Sequence, residues 1–109
     1  MGMKRKPNQN QVGKLFPSTQ DHVQLCAVLE NRFIELCATY ERATGTNLVP
    51  PRSLDNDIFR WRQMAVRYKR GDYRHTNDEY ESVKTIAQWS LDIKCSICKQ
   101  PTQKIKWKN

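Results

Sequence analysis

Residues 51–74, PRSLDNDIFRWRQMAVRYKRGDYR, decide how the rest of this chain is read. The stretch from Arg52 to Arg74 carries a helix with a start signal, a stop signal, an apolar seam and a basic outer face. The helix proper is expected from about Leu54 to Arg70. Asp55 or Ser53 is the expected cap, because a short side-chain oxygen can accept from the free N–H groups of a helix start. Gly71 sits where a left-handed closing residue is wanted. At about 100° per residue, Ile58, Trp61, Ala65 and Tyr68 share one side, with Met64 at its margin. Arg60, Gln63, Arg67 and Arg70 fall opposite. Seven basic residues (Arg52, Arg60, Arg62, Arg67, Lys69, Arg70 and Arg74) stand against three acids, Asp55, Asp57 and Asp72. Two readings fit. One is a core helix with a solvated, arginine-rich face. The other is a helix that offers arginines to phosphates, which the planar guanidinium fork grips with two hydrogen bonds.

The chain has 109 residues, enough for one small domain. Its formal net charge is +8, from 19 Lys and Arg against 11 Asp and Glu. Such an excess favours a polyanionic partner through steering and counterion release. The excess is uneven. Lys4, Arg5, Lys6 and Lys14 precede any acid, and Lys94, Lys99, Lys104, Lys106 and Lys108 close the chain without one. Lys4, Arg5 and Lys6 read as a phosphate-binding arm, a nuclear-targeting cluster or a solubilising tail. No long apolar run and no amphipathic anchor points to a membrane. The polar start lacks the apolar core of a secretory signal. Four cysteines without such a signal imply reduced thiols, so a cytoplasmic or nuclear protein is expected rather than a secreted one.

Outward from the central helix, residues 1–17 read as a basic flexible arm, with Val12, Leu15 and Phe16 as docking points. Pro17, Ser18 and Thr19 open a first helix running to about Ala43. Its seam is Val23, Cys26, Leu29, Phe33, Leu36, Cys37 and Tyr40, and Gly45 closes it. TNLVPP forms an extended connector, since each proline steers its predecessor away from helical angles. Leu48 and Val49 are expected to plug the core. Thr76 to Glu79 spells a capping box and opens a third helix ending near Leu91. Its seam is Tyr80, Val83, Ala87 and Leu91, with Ile86 beside it. Residues 92–109 read as a short hairpin or a disordered tail. The expected architecture is all-α: a compact three-helix bundle over 18–91, with a basic N-terminal arm and a short Cys-x-x-Cys C-terminal tail.

This order of features resembles the helicase-associated domain, a small nucleic-acid-binding module. The resemblance is carried by Gly45, Asn47, Leu48, Val49 and Pro50, then by Ile58, Trp61, Gln63, Arg67, Tyr68, Lys69, Arg70 and Gly71, and by Ile86 and Trp89. It covers roughly residues 29–90. Pro51 is an additional proline, the polar turn lacks a clear glycine, and no helicase accompanies the module. The resemblance implies a three-helix fold whose middle helix binds nucleic acid. By position it makes Trp61 mostly core, with Arg60, Arg67, Lys69 and Arg70 as contacts.

No GxxxxGK loop occurs, so the chain carries no ATPase signature. His22 and His75 are far apart in sequence, and surface or capping roles are expected for both. Asp78, Glu79 and Glu81 lie in a helix first turn, where they offset the dipole. No enzyme is expected. Cys95 and Cys98 are spaced so that both thiolates reach one zinc ion. A closed site needs two more ligands, so zinc is a candidate cofactor beside the alternative of two free thiols. Phe59 and Val66 flank Arg62 and Lys69, and Trp107 stands among Lys104, Lys106 and Lys108. Each group suits stacking on a base or packing on protein. The expected function is non-enzymatic nucleic-acid binding, to double-stranded DNA before RNA. Phosphate contacts would come from Arg52, Arg60, Arg62, Arg67, Lys69, Arg70, Arg74, Lys4, Arg5 and Lys6. The alternatives are a protein-interaction or assembly module, such as a viral or phage accessory protein on an acidic partner, and a ribonucleoprotein subunit.

Overall fold

The computed structural model describes residues 14–107. The expected roles of Lys4, Arg5, Lys6 and Val12 lie outside the described residues. The fold is mostly helical: β1 (Phe16–Pro17), α1 (Gln20–Thr44), a 3-10 turn (Arg52–Leu54), α2 (Asp55–Lys69), β2 (Arg74–His75) and α3 (Asn77–Ile97). No helix among the described residues is long and apolar enough to cross a membrane.

The helix starts follow from local chemistry. Thr19 caps α1 and accepts from the His22 backbone, while His22 Nδ1 accepts from the Thr19 N–H at 3.1 Å. Histidine here does what Glu does in the usual box. Thr76 and Glu79 form the expected box at α3. The α2 start differs from expectation. Neither Asp55 nor Ser53 makes a side-chain cap; the 3-10 turn leads directly into the helix, with Leu54 at the cap position. Asp55 and Asp57 still suit the helix dipole there.

The helix ends follow from backbone handedness. Gly45 (φ 77°) and Gly71 (φ 85°) both take the left-handed conformation expected of them. At Gly71 the chain closes with Gly71 N–H to Tyr68 C=O at 3.0 Å and Asp72 N–H to Arg67 C=O at 3.0 Å. Those two bonds satisfy carbonyls the helix itself cannot.

The core joins all three helices: Cys26 and Leu29 from α1, Trp61, Met64 and Tyr68 from α2, Val83 and Ile86 from α3. Met64, Val83 and Ile86 are fully buried. The α1 and α2 seams match the periodicity. On α3 the buried face is turned toward Ile86 and includes Glu79, Ser82, Ser90 and Cys95. Leu54 fills the core from the 3-10 turn; of the two expected connector plugs, Leu48 is half-buried and Val49 is 77% exposed and plugs nothing.

Two expected boundaries move. Residues 16 and 17 belong to the fold rather than to an arm, because β1 pairs antiparallel with β2, Phe16 opposite His75 and Pro17 opposite Arg74. Ser18 N–H extends that ribbon to Tyr73 C=O at 2.9 Å. The third helix runs to Ile97, beyond the expected end near Leu91. It then closes with Lys99 N–H to Ser96 and Gln100 N–H to Cys95, around a left-handed Lys99 (φ 57°). Beyond it the chain turns back, and Gln88 of α3 holds it at Gln103 and Ile105.

Candidate nucleic-acid interface

The solvent face of α2 is the strongest candidate site. Trp61, Met64 and Tyr68 anchor one side of this helix in the core. Beyond Asp55 and Asn56 of its first turn, the residues left outside are Phe59, Arg62, Gln63, Val66, Lys69 and Arg70, all exposed. Their spacing of three and four residues makes one continuous stripe. Phe59 is 62% exposed and Val66 52%. The stripe therefore alternates large apolar groups with cations, as the sequence readings of Phe59 and Val66 left open.

The expected contact residues divide into three groups. Arg52, Arg62 and Arg70 are exposed and make no ion pair among the described residues. Lys69, Arg60 and Arg74 are partly engaged. Lys69 reaches Glu30 of α1 at 3.4 Å, with its side chain 69% exposed. Arg60 lies 3.7 Å from Asp57 and 3.4 Å from Ser82 Oγ. Arg74 grips Asp72 through two hydrogen bonds of 2.7 and 2.9 Å. That grip holds the Asp72 carboxyl below its usual range.

Arg67 forms the third group and corrects the sequence reading. It does not face outward. Its guanidinium pairs with Glu79 near the start of α3, and its Nε–H donates to Arg74 C=O at 3.3 Å. Glu79 is buried and simultaneously caps α3, accepting the Thr76 N–H at 2.9 Å. A buried carboxylate demands a partner, and Arg67 is within reach of it. The helical projection alone could not show this, because the partner lies in another helix. Nor is Glu79 merely an offset to the dipole.

A second cluster was not legible as a cluster. Ser18 Oγ lies 2.5 Å from Tyr68 Oη and 2.8 Å from His75 Nδ1. His22 and His75, expected at the surface or at caps, have ring centroids 4.7 Å apart, and His22 also packs on Tyr80 at 4.5 Å. His22 does cap α1, but His75 is buried. Burial, and then the neighbouring His22, hold His75 below its ordinary pKa. Burial likewise raises the Tyr68 phenol. The ribbon of two residue pairs brings these groups together, and so short a ribbon leaves no periodic signal.

Cys95 is buried on α3, whereas Cys98 is the exposed C-cap. Their spacing is thus that of a helix end. Among the described residues no group of three His, Cys, Asp or Glu converges on one point. Burial raises the thiols of Cys26 and Cys37. No protein-family model, no curated protein and no solved structure matches this chain.

Proposed function

We propose that the protein binds nucleic acid without enzymatic chemistry, presenting the solvent face of α2 to duplex DNA. The observation that carries this reading is the stripe Phe59, Arg62, Gln63, Val66, Lys69 and Arg70, exposed along one helix of a chain with net charge +8. An α-helix fits the DNA major groove. In that setting Arg62, Arg70, Arg52 and Lys69 meet phosphates or guanine edges. Gln63 suits adenine, and Phe59 and Val66 suit a thymine methyl group. The resemblance to the helicase-associated module supports the same helix and the same partner. Arg67 is absent from this set, because it already holds Glu79.

The test is titration of the full chain with duplex DNA, single-stranded DNA and RNA across a range of salt. Four phosphate contacts give a slope of about −3.6 in log affinity against log salt. Arg62→Glu with Arg70→Glu is expected to abolish duplex binding while helical circular dichroism stays unchanged. Equal affinity of the variant would end this reading. A second reading has its own support: Phe59 at 62% and Val66 at 52% exposure also suit a protein partner. In that case alanine at Phe59 weakens capture of the partner more than charge reversal does. Stronger binding to single strands, lost with Phe59→Ala, would instead mark base stacking.

A further inference from the structure

The side chain of Gln88 does something a surface glutamine rarely does. Its Oε1 accepts the Ile105 N–H at 2.9 Å, and its Nε2 donates to Gln103 C=O at 2.7 Å. One carboxamide thus satisfies the backbone of two residues spaced as i and i+2, as a neighbouring strand would. Asp92 Oδ1 accepts a further bond from Nε2 at 2.9 Å, and so fixes which way the amide points. Recognition of this kind reads the backbone and leaves specificity to the side chains.

The side chains of the held segment have places to go. Ile105 borders an apolar groove between α1 and α3 of about 450 Å³, walled by Leu25, Leu29, Leu36, Leu91 and Ile97. Trp107 shares a shallow depression with Trp89 and Lys84, and Lys104 shares it with Asp92. Ile105 is the one residue of the held segment on the lining of that groove. The segment is joined to α3 only through Lys99–Thr102, where Lys99 adopts a left-handed conformation that a side chain disfavours.

We propose that the α3 surface around Gln88, from the Trp89 depression to the edge of the α1–α3 groove that Ile105 borders, is a docking site for an extended peptide, and that its partner occupant is segment 103–107 of a second copy of this chain. The chain carries the peptide that fits, so exchange between copies keeps every contact and changes only the connection. Within one copy the short linker gives the segment a high effective concentration, of order millimolar. Dilute protein is therefore closed on itself, and exchange appears as concentration rises.

A complementing pair tests this. One copy carries Ile105→Asp and Trp107→Ala, which vacates its docking surface and spoils its own segment. The other carries Gln88→Leu, which spoils its docking surface and frees an intact segment. Sedimentation at submillimolar concentration is expected to show a one-to-one complex in the mixture, with each variant monomeric alone. A labelled synthetic peptide covering residues 100–109 is expected to bind the first variant, and to bind at least about tenfold more weakly once Gln88→Leu is added to it. Helical circular dichroism confirms that each variant is folded. If a variant is unfolded, the same peptide is titrated with the unaltered chain, where displacement of the resident segment is read from the anisotropy of the peptide's label. Peptide binding without a mixed complex would overturn exchange between copies and leave a foreign peptide as the occupant. Peptide binding indifferent to Gln88→Leu, or no peptide binding by folded protein, would overturn the docking site itself.

Discussion

Glu79 carries two duties that can be separated by substitution. It closes the capping box of α3 and it neutralises Arg67. Its side chain is 8% exposed and that of Arg67 is 15% exposed, so the pair is shielded from solvent and salt. Removing one partner of such a pair costs about 3–5 kcal/mol, because a buried charge is left alone. Glu79→Ala is therefore expected to destabilise by about that amount in urea unfolding. Glutamine also serves a capping box, so Glu79→Gln keeps the cap and loses the charge. A double-mutant cycle with Arg67→Met then isolates the ion pair. A coupling below about 0.5 kcal/mol would show that the pair does not hold α2 to α3. The capping box was legible at Thr76 to Glu79, but the second duty was not. Nothing in the spacing of Arg67 along α2 says that a carboxylate on another helix faces it.

At the scale of elements, starts and stops were the most legible features, because caps and left-handed glycines act within a few residues. Gly45, Gly71 and Thr76 each end or begin a helix where expected. Seams were legible where apolar residues filled them. The α3 seam was harder to read, because Glu79, Ser82 and Ser90 occupy buried positions. Ser82 is tolerated there by donating to Asp57 of α2 at 2.7 Å. The end of α3 was missed for a related reason: it closes on a lysine where a glycine is usual. A left-handed residue with a side chain costs about 1–2 kcal/mol, of which glycine's larger unfolded freedom returns about 0.5–1 kcal/mol. Lys99→Gly is expected to stabilise the fold by about 0.5 kcal/mol. That raises the melting temperature by about 2–4 °C in a chain of this size. A lower melting temperature would mean that the Lys99 side chain makes a contact worth more than the strain.

At the scale of the whole molecule, the Ser18, His22, Tyr68, His75 and Tyr80 cluster is where every layer meets. Ser18 follows β1, His75 lies in β2, and His22, Tyr68 and Tyr80 come one each from α1, α2 and α3. Acidification loads this point. His75 is held below its ordinary value by burial first and by His22 second, with Arg67 adding to the effect and Glu79 opposing it. Between its folded pKa and the unfolded value of about 6.5, the unfolded chain binds more protons than the native one. The stability that neutral His75 provides is thus fully present above about 6.5, and it is lost as pH falls through the folded value. The melting temperature is expected to drop between about pH 7 and pH 5, before most carboxylates begin to titrate. His75→Gln cannot take up the proton, so its melting temperature is expected to be lower at neutral pH but flatter over the same interval. An unchanged slope in that variant would assign the acid sensitivity elsewhere.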